Sequence, residues 1–344
     1  MKKNIVSAIL IAASFMIAGC ARHEVTGTND ANVRYFNAWM KANGYTEGSK
    51  FTDLGAYIID SDEGTGTDIK EGGYVLMDYV ITDLEGNITS HTTEETARQL
   101  GTYEEGNYYG PKFQSTHKGS IPAGLADVFK GMKVGGRKKV IIPTWLMTYS
   151  SYDTKEEYLD EKSSTASAIY DFTIRDFTED INEWQIEKIG DYFAENAEIF
   201  GDMTAADSLK AHKGFYYKQL TAPEDTTAFN KDTTIYINYT GRLLDGSVFD
   251  TTNERIAKDN GIWSSTKTYE PVSIKWGEEY SDISMGSGSV ISGFGLTLWQ
   301  MRKFEKGIGV FTSEYGYGYS GSGQSIPGFA PLTFEIEIVP KPED

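Results

Sequence analysis

Cysteine and histidine, the residues of zinc sites and of many nucleophilic sites, are few in this chain, and their spacing brings none of them together. The single cysteine, Cys20, can form no intramolecular disulfide. The four histidines, His23, His91, His117 and His212, are scattered without metal-ligand spacing. Neither a metal site nor a histidine-based triad is therefore expected, and no cofactor. The run Tyr315-Gly316-Tyr317-Gly318 has the glycine content of a phosphate loop but lacks the Lys-Ser/Thr ending. Its tyrosines, with Pro327 downstream, suit an apolar pocket better. The net charge of −18 argues against nucleic acid, which needs clustered Lys and Arg, and favours a soluble, acidic surface.

The elements that would position such a pocket occur twice. Val33, Phe36 and Met40 recur at helical spacing, with Trp39 beside them and Gly44 as a stop. A second helix is predicted from Ile181 through Trp184, Ile189, Phe193 and Ala197 to Phe200, and a short third one between Thr204 and Gly214. After each helical region come alternating strands with an acidic-Gly turn. Tyr74–Tyr79 lead to Asp83-Leu84-Glu85-Gly86-Asn87, and Ile235–Tyr239 lead to Leu244-Asp245-Gly246-Ser247. Closing strands follow at Tyr170–Ile174 and Leu332–Ile338, and one short helix interrupts each copy, at Gly124–Met132 and Gly293–Met301. A repeat distance of roughly 160 residues reads as a domain duplication. The fold class is α+β, each unit a curved antiparallel sheet wrapped on a short helix, with helical segments before each.

Lys2 and Lys3, the apolar run Ile5–Ala18 and the small residues before Cys20 describe a secretory signal peptide over residues 1–19. The stretch Ile17-Ala18-Gly19-Cys20 resembles the lipobox of bacterial lipoproteins, which implies lipid on Cys20 and a membrane-anchored protein in the cell envelope, on the outer membrane facing the periplasm. The expected organisation is then a tether over 20–30, a first domain over 31–179, a helical linker and hinge over 180–213 and a second domain over 214–344.

The second copy resembles the FKBP-type peptidyl-prolyl cis–trans isomerases. The resemblance rests on Tyr239-Thr240-Gly241 followed by Leu244-Asp245-Gly246-Ser247-Val248-Phe249-Asp250, then Val290-Ile291-Ser292-Gly293-Phe294, the flap Tyr315–Gly318 with Ile326-Pro327, and Leu332-Thr333-Phe334. These signatures stand in the family's order over about 110 residues, which is more specific than any one alone. The resemblance implies proline-containing polypeptide substrates and a pocket walled by Tyr239, Phe249, Phe294, Phe334, Val290, Ile291 and Ile326. It further implies that the Ile291 N–H and the Tyr317 hydroxyl hold substrate carbonyls, with Asp250 at the rim. The sequence departs from the family at Phe294, where Trp is usual, at Phe304, where Gly is usual, and at Val272, where a pocket Phe is expected. An insertion over residues 251–269 lengthens the first bulge.

In the first copy Thr89-Ser90 stand for Phe249-Asp250, Ile121-Pro122 for Val290-Ile291 and Leu125 for Phe294. A polar stretch, residues 149–167, replaces the flap. Pro122 has no N–H to give a carbonyl, so this copy reads as a degenerate, non-catalytic domain. Two alternatives stand beside the isomerase: a non-catalytic chaperone or assembly module using the same groove, and a solute- or glycan-binding lipoprotein using the many tyrosines and tryptophans.

Overall fold

A computed structural model describes residues 30–161 and 165–343. The expected signal segment, Cys20 and all of the tether before Asp30 lie outside the described residues. The first sheet has six strands: β1 (Tyr57–Asp62), β2 (Tyr74–Thr82), β3 (Ile88–His91), β4 (Lys112–Ser115), β5 (Arg137–Ile142) and β6 (Ala168–Thr178). The second has eight: β7 (Phe215–Thr221), β8 (Thr234–Leu243), β9 (Val248–Thr251), β10 (Val272–Lys275), β11 (Ser284–Met285), β12 (Gly288–Ser289), β13 (Lys306–Phe311) and β14 (Leu332–Val339).

The two sheets share one topology. The first runs β1-β5-β6-β2 and the second β7-β13-β14-β8, every pair antiparallel. On the free edge of β2, β3 pairs with Val80–Thr82 and β4 with Tyr74–Met77. On the free edge of β8, β9 pairs with Thr240–Arg242 and β10 with Thr234–Ile237. The duplication read from the sequence is therefore a duplication of strand order. Alternation produces the inner faces: Phe334, Ile336 and Ile338 of β14 are buried while Glu335 and Glu337 point away.

The described helices are α1 (Asp30–Ala42), α2 (Glu94–Leu100), α3 (Ala123–Phe129), α4 (Lys155–Asp160), α5 (Ile181–Glu195), α6 (Ala197–Phe200), α7 (Glu254–Asp259) and α8 (Ser292–Gln300). In the second sheet α8 lies on β13 and β14, burying Phe294, Leu296 and Leu298. Burying each such side chain stabilises the fold by roughly 1.5–3 kcal/mol. Gly293 makes the close approach possible, because a Cβ there would stand 2.5 Å from the Phe311 ring.

Three expectations are corrected. Each unit carries more than one helix, because the insertion after the first hairpin is present in both and starts with α2 in one and α7 in the other. Thr93 and Asn253 cap these helices in the same way, accepting from the N–H groups of Thr96 and Ile256. The predicted third linker helix is only a single 3₁₀ turn, Ala205–Asp207, closed by a Thr204–Asp207 capping box. The segment expected to be a hinge is built into the second unit. Ile189 and Phe193 of α5 pack with Phe200, Tyr216, Ile308 and Val310 on the outer face of β7 and β13. Gln185, fully buried, accepts from the Ser313 N–H at 2.7 Å.

Candidate active site

The site is organised around two strands and the start of one helix. Tyr239 sits on β8 and is fixed by its backbone: its N–H donates to Thr252 Oγ1 at 2.9 Å, and its carbonyl accepts from the Thr252 N–H at 3.0 Å. Asp250 follows on β9, paired with Gly241 of β8. The Tyr239 hydroxyl donates to Asp250 Oδ2 at 2.6 Å, and Lys267 pairs with Asp250 Oδ1. Burial, then the charge of Asp250, then the hydrogen bond it accepts, push the Tyr239 phenol well above its ordinary range. Tyr239 is therefore held as a neutral donor.

Aromatic rings form the floor and wall. Phe294, the third residue of α8, meets Tyr239 edge-on at 5.4 Å and Phe334 edge-on at 5.1 Å. Phe334 also meets Phe249 at 5.5 Å and stacks on Phe311 at 6.0 Å. The absent side chain of Gly241 admits the Phe249 ring, since a Cβ there would lie 2.5 Å from it. Phe294, Phe334 and Tyr239 are 3, 4 and 8 % exposed, so the floor is dry. Such edge-on pairs add about 0.5–1.5 kcal/mol beyond area burial and lock the rings in place.

Helix α8 begins at the mouth. Ile291 is its N-cap, with extended backbone (φ −61°, ψ 148°). The Ile291 carbonyl accepts from Gly295, while its own N–H donates to no acceptor among the described residues. Half-buried Val290 and Ile291 pack against the same core, as does buried Ile326 from the flap. Ser292 Oγ donates to the Tyr315 carbonyl at 3.5 Å, joining the helix start to the flap. Tyr317, 36 % exposed on that flap, has its phenol raised first by partial burial and then by the charge of Asp250. The same charge acts on Tyr239.

Of the nine residues singled out in the second copy, Tyr239, Phe249, Asp250, Phe294 and Phe334 are joined by direct contacts. Val290, Ile291 and Ile326 belong to the core cluster around them, and Tyr317 lies within reach of the Asp250 charge. Lys267 was missed. It lies 17 residues beyond Asp250, behind α7, and nothing in the local sequence marks it as that carboxylate's partner. Thr252 was missed too, although Tyr79 and Thr92 repeat its bond in the first unit at 3.0 Å and a comparison of the two copies would have found it. Of the family departures, Phe304 adopts φ 60°, the left-handed backbone that a glycine would take freely. Val272 lies on β10 opposite Ile237, half-buried against the same core.

The first unit keeps the frame without these groups. Pro122 is the N-cap of α3 as Ile291 is of α8, but it carries no N–H. Leu125 is the third residue of α3, where α8 has Phe294. Thr89 donates its hydroxyl to the Ile81 carbonyl at 3.2 Å, and the stretch expected to replace the flap contains α4.

Comparison with known proteins gives the following. The family model described as FKBP-type peptidyl-prolyl cis-trans isomerase matches residues 225–339. FK506-binding protein 1A of Aspergillus fumigatus is 34% identical over 123 residues, which cover 36% of this chain and 90% of that protein. Peptidyl-prolyl cis-trans isomerase FKBP9 of Mus musculus is 21% identical over 307 residues, 82% of this chain, which spans 44% of that relative's length. Among solved structures, the three FKBP domains of wheat FKBP73 align over 83% of this chain and 92% of that one, at 19% identity and a TM-score of 0.28.

Proposed function

Because this chain belongs to the FKBP-type peptidyl-prolyl cis–trans isomerases, we propose that the aromatic pocket of its second unit is where Xaa-Pro bonds are rotated. An Xaa-Pro amide turns over a barrier of about 20 kcal/mol and exchanges unaided in tens of seconds. At the top of the barrier the amide is twisted and its resonance lost, so the carbonyl oxygen carries less charge and needs water less. A dry pocket accommodates that twisted amide better than the planar, polar one, and this difference between the two states is the catalysis. The observation that carries the reading is the meeting of three features: edge-packed Phe294 and Phe334, the Tyr239–Asp250 pair beside them, and an uncommitted N–H at Ile291.

In this reading Phe249, Phe294, Phe334, Val290 and Ile326 enclose the proline ring. The Ile291 N–H and the Tyr317 hydroxyl hold substrate carbonyls, and Asp250 orients the amide through Tyr239. No bond is made or broken, so the chain's own groups suffice. The first unit, with Pro122 and Leu125 in the corresponding places, binds or braces but does not turn substrate over. The clients are envelope proteins and the chain is held at the membrane by lipid on Cys20, a reading supported by the sequence around that residue. Mass spectrometry of the mature N-terminus tests the anchor: diacylglyceryl mass on Cys20 supports it, and an unmodified or uncleaved N-terminus sinks it.

Catalysis is tested by following cis–trans relaxation of a short Xaa-Pro peptide in the presence of the full chain. Acceleration proportional to protein concentration supports the reading. A folded chain that binds the peptide without accelerating its relaxation would instead be a holding module.

A further inference from the structure

The flap of the second unit is gripped by the first. Residues 316–330 leave β13, carry Tyr317 and Ile326 to the pocket, and return to β14. Their tip is a small hairpin in which Ser322 and Ile326 exchange hydrogen bonds at 2.9 and 3.1 Å. At that tip the Tyr108 N–H, from the loop between α2 and β4 of the first unit, donates to the Gln324 carbonyl at 2.8 Å. At the base Phe329 takes a left-handed backbone, φ 62°, which is strained for a bulky residue. Its N–H donates to the Gly318 carbonyl at 2.8 Å, directly beside Tyr317. Its ring meets Tyr74 of β2 edge-on at 5.3 Å and Phe113 of β4 edge-on at 5.9 Å. Phe113 is itself backed by Trp184 of α5 at 4.8 Å.

The insertion after β9 is touched as well. A Cβ on Gly261, after α7, would fall 2.0 Å from the Glu105 side chain, and one on Gly106 would fall 2.6 Å from Ile262. The two insertions, one from each unit, therefore lie in close contact. The second unit's insertion also supplies Lys267 to Asp250. The first unit thus contacts both the flap that carries Tyr317 and the insertion that supplies Lys267.

We propose that Tyr74, Phe113 and the Tyr108 loop of the first unit are positioning residues for the isomerase site, holding the flap so that Tyr317 and Ile326 stand over the pocket. The strain at Phe329 is the physical sign. A left-handed phenylalanine persists where its surroundings over-determine it, and the rings that do so here belong to the other unit. The role retained by the degenerate copy is to order the working site of its neighbour. This rests on the reading that the second unit's pocket is the catalytic one.

The test uses the full chain with Phe113→Ala, Phe113→Leu and Phe329→Asn. Asparagine tolerates the left-handed backbone but lacks the ring, and Phe329 lies outside the first sheet, so that variant leaves the first unit's core intact. Amide exchange of residues 318–330 is followed beside exchange of β8, β13 and β14, and peptide isomerisation is split into kcat and KM. We expect flap exchange at least tenfold faster in Phe113→Ala and Phe329→Asn, unchanged exchange in the three strands, a KM several-fold higher with kcat less affected, and partial recovery in Phe113→Leu. Flap exchange equal to wild type in both ring-removing variants overturns the proposal. A wild-type chain without turnover whose flap still loosens in the variants would overturn the isomerase reading and leave the brace standing.

Discussion

Tyr239 of β8 donates its phenolic hydrogen to Asp250 of β9 across 2.6 Å, while Lys267 holds the other carboxylate oxygen. The pair sits beside a dry aromatic floor, so the Asp250 carboxylate is held in register from both sides without being buried. Removing the hydroxyl leaves Asp250 with Lys267 alone and frees the Tyr239 ring from its anchor. Tyr239→Phe should lower kcat/KM by roughly 5–30-fold, the equivalent of about 1–2 kcal/mol for one charge-assisted hydrogen bond. Steady-state isomerisation of one peptide by both proteins measures it.

The proposed site confines turnover to the second unit. Tyr79 is Tyr239's counterpart in strand position and in its bond to a following threonine. Tyr79→Phe should therefore leave kcat/KM unchanged in the assay that reports the loss in Tyr239→Phe. A fall beyond about threefold would assign catalysis to the first unit.

Alkaline pH should destabilise the fold over a defined window. Burial pushes the phenols of Tyr108, Tyr170 and Tyr216 up to about 12, and those of Tyr239 and Tyr217 are raised as well. Unfolded tyrosine ionises near pH 10. Above that pH the unfolded chain binds fewer protons than the folded one, so stability falls as pH rises. The stabilisation is fully present below pH 10 and is lost as pH climbs toward 12. Because Tyr239 stays neutral, activity should not decline before stability does. Thermal melts and peptide assays across pH 8–12 check both statements.

At Phe304 the backbone itself can be tested. With φ 60°, any residue bearing a Cβ is strained there, and glycine is not. Phe304→Gly and Phe304→Ala remove the same ring, so their difference isolates the backbone. The glycine variant should be the more stable by about 1–2 kcal/mol, read from denaturant midpoints.

Much of this molecule was legible in its sequence because local pattern and fold agree. The period-2 alternation of Leu332–Ile338 gives β14 its inner face, and the 3.6-period series Ile189–Phe193–Phe200 gives α5 and α6 theirs. The order of the second copy's signatures pointed to Tyr239, Phe249, Asp250, Phe294 and Phe334, which the fold joins by direct contacts. What stayed hidden depends on contacts distant in sequence. Lys267 reaches Asp250 only because α7 turns the insertion back. Phe113 and Phe329 are an ordinary strand aromatic and an ordinary loop aromatic until two sheets are brought together. The segment 180–213 was read as a hinge from its place between the two copies, whereas the apolar stripe of α5 packs it onto β7 and β13. The insertion over 251–269 was read in the second copy but its counterpart in the first was not, because the matches Glu94/Glu254, Ala97/Ala257 and Gly101/Gly261 are too few and too scattered to stand out.

The central claim is that isomerisation occurs at the second unit's pocket. The most direct measurement compares the full chain with its Asp250→Ala/Tyr317→Phe double variant on one short Xaa-Pro peptide, with circular dichroism confirming that both are folded. The account predicts clear acceleration by the wild-type chain and a loss of most of it in the variant. Equal acceleration by the two proteins would contradict it and place the chemistry elsewhere in the chain.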